Sequence, residues 1–217
     1  MRVATENEIR KGLVPNHSVG SLPAFILQSV LETRALLTGH FELMNGEHAP
    51  HFLRFAQLGW NRALTATIAE ELLSRTRIPI AMTQLLCSES SGVFLADAIA
   101  RARRVPLAVT TVDGRRRPQP FMREGRLNPN QPVVIVNDIA AWGETMRRLR
   151  WLAQESGAPV AGVLAFGAIK PGEFTDQLGE HSLQACWLLD AKWPTFPADA
   201  CPLCSGPEPL VSAAEFT

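Results

Sequence analysis

The stretch that decides the fold is Val133-Val-Ile-Val-Asn-Asp-Ile-Ala-Ala-Trp-Gly-Glu-Thr-Met146. Its first four residues form an uninterrupted apolar run, which is typical of a parallel strand buried on both faces. The polar pair Asn137-Asp138 follows, and a turn containing Gly143 then leads into helical periodicity over residues 143–156. A buried strand, a polar turn and a helix in this order predict one unit of an α/β sheet.

Short apolar runs and segments of helical periodicity alternate on both sides of this stretch. Strands are predicted over residues 78–86, 106–112, 133–136, 160–169 and 183–189, and helices over 22–37, 61–77, 93–104 and 143–156. This alternation predicts an α/β fold with a central, mostly parallel sheet flanked by helices. Ligands of such sheets bind at the carboxyl ends of the strands, so the turns after the strands are the candidate sites.

The remaining segments are less regular. Gly39 is expected to end the first helix, and Asn45-Gly46 predicts a hairpin within residues 40–58. Residues 113–130 are basic and rich in Gly and Pro, and we expect a long, flexible loop there. Residues 1–20 read as a loose lead-in, and residues 192–217 as a tail that contains Cys201-Pro-Leu-Cys204.

Composition narrows the class of protein. The 217 residues include 21 basic and 21 acidic side chains, so the formal net charge is zero and argues against a nucleic-acid binder. No apolar run approaches the ~20 residues of a membrane span, and the polar start lacks the apolar core of a signal peptide. Four cysteines are too few for a disulfide scaffold, which favours a cytoplasmic protein.

The turn after residue 136 favours a phosphate ligand. Backbone N–H groups at a helix start point outward, and the helix dipole attracts anions. Thr145 can add a hydroxyl, and Asp138 can accept hydrogen bonds from sugar hydroxyls. These residues predict a ribose-phosphate site, although a ligand-free turn of an α/β protein has the same outline.

At these residues the chain resembles the phosphoribosyl-pyrophosphate (PRPP) loop of type I phosphoribosyltransferases. The resemblance implies that Asn137 and Asp138 occupy the positions of two acids that hold the ribose hydroxyls. It implies that the 5′-phosphate loop consists of Ala141, Trp142, Gly143, Glu144 and Thr145. Asn137 replaces an acid and lacks the charge that would stabilise a cationic ribose, while Ala141 and Trp142 replace hydroxyl donors.

Residues 37–48 resemble the N-terminal segment of orotate phosphoribosyltransferases, which forms a hood over the base. The resemblance implies a hood at about residues 21–60 of a domain over 21–191, with Asn45, Glu47 and His48 near the acceptor. Glu47 stands where a basic residue is common, which disfavours an anionic acceptor. A plain hairpin is the alternative interpretation.

Two further turns match the family in order. Residues Ser88, Glu89, Ser90, Ser91 and Gly92 resemble its pyrophosphate loop, where an acid is tolerated if magnesium intervenes. Arg115, Arg116 and Arg117 occupy the place of its mobile catalytic loop and could clamp pyrophosphate. The alternatives are a Ser/Gly turn without ligand and a solvated basic loop.

Cys201 and Cys204 have the spacing of half a zinc site. Cys186 and one of four histidines could complete it, namely His40, His48, His51 or His181. The alternative is a pair of reduced thiols. We expect Cys87 to be a small buried residue and not a nucleophile.

The leading functional hypothesis is transfer of ribose 5-phosphate from magnesium-bound PRPP to a nucleobase-like or amine acceptor, with release of pyrophosphate. The resemblance also implies a homodimer, since related loops reach into a neighbouring subunit. Two alternatives stay open. One is a non-catalytic module that senses PRPP or a nucleotide, and the other is an enzyme of different chemistry on a ribose phosphate.

Overall fold

The computed structural model describes residues 1–16, 24–90, 92–114, 116–141 and 143–216. Three predicted site residues lie outside these ranges, namely Ser91, Arg115 and Trp142. Within the described residues the strands are β1 (Arg2–Val3), β2 (Leu13–Pro15), β3 (Leu36–Glu42), β4 (His48–Leu53), β5 (Gln84–Ser88), β6 (Leu107–Val112), β7 (Pro118–Glu124), β8 (Val133–Ala140), β9 (Val160–Ile169), β10 (Gln184–Ala191) and β11 (Leu210–Ser212).

The α-helices of the described residues are α1 (Glu6–Gly12), α2 (Ala24–Glu32), α3 (Ala56–Gly59), α4 (Arg62–Arg75), α5 (Gly92–Arg103), α6 (Glu144–Glu155) and α7 (Pro171–Glu180). Short 3-10 turns occur at Ile80–Met82, Ala198–Ala200, Pro202–Ser205 and Ala213–Phe216. Among the described helices none has the length and apolar character needed to cross a membrane.

The larger sheet has the strand order β2-β10-β9-β8-β5-β6-β7. The five inner strands are parallel, while β2 and β7 pair antiparallel at the two edges. Chain order runs outward in one direction from β5 to β6 and in the other from β8 to β10. The order therefore reverses between β5 and β8, which is where open α/β sheets place their ligand crevice.

The smaller sheet joins the hairpin of β3 and β4 to the two ends of the chain. β1 pairs antiparallel with β3, and β11 pairs parallel with it along residues 40–42. The hairpin predicted at Asn45-Gly46 is confirmed, and Gly46 adopts the left-handed φ of +81° that such a turn requires.

Both faces of the larger sheet are buried, as the apolar run in β8 predicts. Val134 and Val136 pack into a core shared with α4 and α5. Val133 and Ile135 pack into a second core shared with α6 and α7. Side chains alternate along a strand, so one apolar run supplies both layers. The predicted α/β architecture is confirmed.

The first predicted helix is wrong in its second half. α2 ends at Glu32, and the chain enters β3 at Leu36, so Gly39 lies within a strand. Arg34 takes a left-handed φ of +53°, and the Ala35 N–H donates to the Val30 carbonyl at 3.1 Å. This backbone cap ends the helix without a glycine, and the apolar periodicity continues past it into a buried strand.

The expected long loop at residues 113–130 contains a strand, β7, while residues 125–130 are irregular or turn. β7 pairs antiparallel with β6, and only residues 113–117 form the connecting turn. Gly125 has a φ of +66°, and a Cβ there would lie 2.3 Å from the Leu107 carbonyl oxygen. After Pro118 the side chains of β7 are exposed or half-buried, and its sequence lacks the continuous apolar run of a core strand.

Further departures concern the ends of elements. The predicted strand over residues 78–86 begins only at Gln84, after a 3-10 turn, and α7 was not predicted. The lead-in is not loose over residues 1–16, because α1 starts with a Thr5/Glu8 capping box and β2 pairs with β10. The tail contributes β11 to the smaller sheet. The division into lead-in, domain and tail remains a prediction.

Candidate active site

The loop after β5 and the end of β8 meet at the point where the strand order reverses. Gly92 begins α5 directly against β8: a Cβ on Gly92 would lie 3.1 Å from the Asp138 backbone nitrogen and 3.2 Å from the Asn137 Cα. Only a residue without a side chain allows this approach without displacing backbone. Two segments that the sequence singled out separately therefore form one crevice.

The turn after β5 is held by short local bonds. Ser88 is buried, its hydroxyl lies 3.2 Å from that of Ser90, and the Ser90 N–H donates to the Ser88 carbonyl. The Glu89 N–H donates to the Thr110 carbonyl of β6 at 2.9 Å. The Glu89 carboxylate forms an ion pair of 2.8 Å with Arg123 of β7. Its charge is thus compensated across the neighbouring hairpin.

Asn137 and Asp138 lie within β8, which continues to Ala140 instead of turning after residue 136. Because side chains alternate along a strand, the two point to opposite faces of the sheet. The Asn137 side-chain amide donates to the Ile139 carbonyl at 3.0 Å, which fixes its orientation beside Gly92. Asp138 is half-buried at the carboxyl end of the strand.

The N-terminus of α6 opens onto this edge of the sheet. Gly143 is its N-cap, in an extended conformation with φ −120° and ψ −164°, and within the described residues no side chain caps the helix. A Cβ on Gly143 would meet no atom within 4 Å, and Thr145 lies half-buried in the first turn. An uncapped helix start with open space before it suits an anion.

Lys170 joins the hood to the same edge of the sheet. It follows β9 directly, has a left-handed φ of +49°, and is the N-cap of α7. Its Nζ lies 2.6 Å from Glu47 Oε1, while Asn45 Nδ2 and Thr195 Oγ1 donate to Glu47 Oε2 at 3.0 and 2.9 Å. Glu47 therefore connects hairpin, sheet and tail.

These three donors stabilise the ionised form of the Glu47 carboxylate. Burial by itself raises the pKa of this carboxyl, but the hydrogen bonds from Lys170, Asn45 and Thr195 outweigh it, and the pKa is lowered. The sequence argument against an anionic acceptor assumed an uncompensated carboxylate. With Lys170 in contact, that argument loses its basis.

The basic turn between β6 and β7 is built around Asp113. Arg117 donates from Nε to Asp113 Oδ2 at 2.7 Å, and its Nη2 lies 2.6 Å from the same oxygen. Arg116 has a φ of +59°, and its N–H donates to the Asp113 carbonyl at 2.8 Å. Arg117 would have to leave this acid before it could clamp a pyrophosphate.

His48 belongs to a group of four side chains that we call the hairpin–tail cluster. Its members are His40, His48, Cys201 and Cys204. Their ligand atoms all lie within 4.8 Å of one another, so the group could hold a metal ion.

Two other residues considered for this cluster, Cys186 and His51, lie outside it. Cys186 is buried, with its sulfur 3.9 Å from the Leu72 carbonyl, and burial raises its pKa to about 11. His51 contacts Thr38 on the hairpin. Cys87 is buried, and burial raises its pKa to about 12, so it is a protonated thiol at neutral pH, as expected for a core residue.

Sequence reasoning missed Lys170, Thr195 and Arg123, each of which compensates or holds an acid near the crevice. Lys170 follows the last residue of a parallel strand, and this position is a usable signal. Thr195 and Arg123 lie in the tail and in an unpredicted strand, where no local pattern marks them.

The fold matches that of solved phosphoribosyltransferases. Orotate phosphoribosyltransferase from Aeropyrum pernix has a TM-score of 0.61 and 18% identity, covering 74% of this chain and 90% of that one. Adenine phosphoribosyltransferase from Leishmania donovani has a TM-score of 0.55 and 17% identity, covering 75% of this chain and 79% of that one. The predicted fold is therefore confirmed.

Sequence comparison is more specific. The chain is 29% identical over 189 residues to orotate phosphoribosyltransferase from Thermus thermophilus, covering 85% of this chain and 97% of that enzyme. No family model matches the chain. The resemblance to phosphoribosyltransferases stated on the PRPP loop thus extends over most of the sequence, and its named relatives are enzymes.

Proposed function

We propose that the protein is a phosphoribosyltransferase that transfers ribose 5-phosphate from PRPP to a nucleobase-like acceptor, with release of pyrophosphate. The observation that carries the proposal is the contact of Gly92 with the Asn137-Asp138 backbone, next to the open start of α6. One crevice thereby offers positions for a diphosphate, a ribose and a 5′-phosphate. The names of the relatives supply the reaction class.

Each part of the donor has a matching part of the crevice. Backbone N–H groups at the start of α6, with the Thr145 hydroxyl, hold the 5′-phosphate. Asp138 accepts hydrogen bonds from the ribose hydroxyls. The small residues from Ser88 to Gly92 let the backbone approach the diphosphate.

Mg²⁺ fits this crevice by the chemistry of its donors. The ion binds through one or two carboxylates together with phosphate oxygens of the substrate, and Asp138 offers a half-buried carboxylate at the strand end. When bound, it would neutralise charge on the pyrophosphate. Asp138 would orient the ribose beside it.

In the reaction a nitrogen of the acceptor forms a bond to the ribose C1, the bond from C1 to the pyrophosphate oxygen breaks, and the nitrogen gives up its proton. The chain contributes chiefly position and charge. Asn137 in place of an acid supplies a hydrogen-bond acceptor without a negative charge, so we expect a weaker stabilisation of cationic ribose than two acids would provide.

The acceptor faces the hood. Because Lys170 compensates Glu47, the hood presents a paired charge and does not repel an anionic base. Orotate is the first acceptor to test, since it gives the sequence relatives their name, and adenine is the second, since it gives a structural neighbour its name.

Three accompanying proposals rest on resemblance and composition. The protein forms a homodimer, which sedimentation at working concentration would test. It functions in the cytoplasm, in keeping with four cysteines that are free in the structure. A small molecule is its partner, and its balanced charge does not favour nucleic acid.

The deciding experiment is calorimetric titration with PRPP, with and without Mg²⁺, followed by an assay of pyrophosphate release with orotate, adenine, other bases and amines. We expect Mg²⁺-dependent binding and release with one acceptor. Absence of both would overturn the proposal.

The same experiment tests a second candidate function, that of a PRPP or nucleotide sensor. Asn137 in an acid position and Arg117 paired with Asp113 favour it. Binding without turnover over the whole acceptor panel would support the sensor and contradict the transferase.

A further inference from the structure

The hairpin–tail cluster brings together four metal-ligating side chains from distant parts of the sequence. His40 lies in β3, His48 opens β4, and Cys201 and Cys204 flank and enter the 3-10 turn of the tail. The first three are buried and Cys204 is exposed. None of the hydrogen bonds described above for the crevice involves this group, so it needs an explanation of its own.

Four of the six distances between the ligand atoms are close to those of a tetrahedral site, and the other two are no longer than 4.8 Å. His40 Nε2 and His48 Nδ1 are 3.0 Å apart. Cys201 Sγ lies 3.6 Å from His40 Nε2, and Cys204 Sγ lies 3.8 and 3.3 Å from His40 Nε2 and His48 Nδ1. A tetrahedral zinc ion separates two nitrogen ligands by roughly 3.3 Å, and a nitrogen from a sulfur by roughly 3.6 Å.

We propose that His40, His48, Cys201 and Cys204 bind one structural Zn²⁺ ion. Two thiolates and two imidazoles in tetrahedral array are the ligand set that selects zinc over magnesium or calcium. Four protein ligands complete the coordination, so the site is closed and has no position for a substrate. The ion is thus separate from any Mg²⁺ that accompanies PRPP.

A disulfide between Cys201 and Cys204 is the competing explanation. It would use neither histidine, and the two buried imidazoles, 3.0 Å apart, would keep only the hydrogen bond between them and gain nothing from the nearby sulfurs. A cation between them satisfies both nitrogens and both sulfurs at once. The convergence of the histidines therefore favours the metal.

The position of the ion indicates what it does. The His48 backbone exchanges two hydrogen bonds of 2.8 Å with Phe196, and β11 pairs with β3 along residues 40–42. The tail thus contacts the hairpin on both sides of the cluster. Zn²⁺ would tie segments 161 residues apart and close a long loop, a constraint that the two short pairings alone supply weakly.

The same ion would support the acceptor side of the crevice. His48 directly follows Glu47, which binds Lys170 of the sheet and Thr195 of the tail. Fixing His48 and the tail therefore fixes the carboxylate that joins the hood to β9. The structural role of the metal is to hold the hood in register with the sheet.

The test is the metal content of the full chain, purified under reductant and measured by plasma mass spectrometry. We expect about one zinc per chain. Cys201→Ser, Cys204→Ser and His48→Gln should each lower zinc affinity by more than about tenfold, measured by competition with a chromophoric chelator. Cys186→Ser and His51→Gln are the matched controls and should retain the ion.

Replacement of zinc by Co²⁺ provides a second readout that does not depend on the variants folding well. We expect thiolate-to-cobalt charge transfer and the intense visible bands of a tetrahedral site. Absence of zinc together with an octahedral cobalt spectrum would overturn the proposal. So would a Cys201–Cys204 disulfide in protein prepared without oxidant, or equal zinc loss in the control variants. None of these measurements uses PRPP, so their outcome is independent of the proposed transferase activity.

Discussion

The crevice at β5 and β8 and the hood–tail corner around Glu47 are built in different ways. In the crevice, contiguous residues supply each part: a strand, the turn that follows it and the start of a helix. At the corner, Glu47, Lys170 and Thr195 come from three remote segments, with 123 and 148 positions between the acid and its partners. Local sequence therefore describes the first region, and only tertiary contacts assemble the second.

The largest effect is expected from the carboxylate of the crevice. Asp138→Asn removes the charge that accepts from the ribose, and we expect kcat/KM for PRPP to fall by about 10²-fold or more. Asp176→Asn, on the exposed face of α7, is the matched control and should leave the rate unchanged. Equal PRPP affinity and rate in Asp138→Asn would show that the ribose binds elsewhere.

The next largest effect on kcat/KM is expected where α5 closely approaches β8. In Gly92→Ala the new Cβ would lie 3.1 Å from the Asp138 backbone nitrogen, so backbone must shift and the two halves of the crevice separate. We expect a loss of about tenfold in kcat/KM, because small displacements of a binding site are costly. Gly172→Ala, where a Cβ meets no atom within 4 Å, is the control. An unchanged rate would contradict the shared crevice.

At the hood–tail corner around Glu47, we expect a substitution to lower the stability of the fold. Lys170→Met leaves the part-buried Glu47 carboxylate without its cation, and we expect the free energy of unfolding at pH 7 to fall by about 1–2 kcal/mol. Chemical denaturation measures it, with Lys11→Met as the control, since Lys11 is exposed at the end of α1. A double variant with Glu47→Gln should recover part of the loss, and full additivity of the two losses would contradict the pairing.

Introducing an acid at position 137 is expected to change kcat by a smaller factor. Asn137→Asp restores a negative charge beside the ribose, and in a working transferase we expect kcat to rise several-fold. Pyrophosphate release at saturating PRPP measures it. A fall in kcat with unchanged PRPP affinity would indicate that the bond from Asn137 to the Ile139 carbonyl matters more than the charge.

The smallest expected effect is the pH dependence of the corner. The pKa of Glu47 is lowered in the folded chain, so its contribution to stability is present above its ordinary value of 4.5 and is lost as pH falls through the folded pKa. We expect the difference in unfolding free energy between the native chain and Glu47→Gln to shrink over that acidic interval. A difference that grows with acidity would show the opposite shift.

Sequence-based prediction succeeds where the signal is local and fails where it is not. The apolar run of β8 predicts a doubly buried strand, and the turns after β5 and β8 predict a crevice, because their signals lie within a few neighbouring residues. β7 and the end of α2 were mispredicted. The exposed pattern of β7 resembles a loop, and helical periodicity continues through Arg34 although a left-handed cap ends the helix there.

The sequence by itself determined the α/β fold and the resemblance to phosphoribosyltransferases, and it predicted which turns meet in the crevice, because strand burial, turn chemistry and helix starts are encoded locally. Tertiary structure decided that Lys170 compensates Glu47 and that two histidines of the hairpin meet the two cysteines of the tail. Pairings across more than 100 positions depend on where the sheet and the tail bring the chain. Spacing along the sequence carries no information about that distance in space.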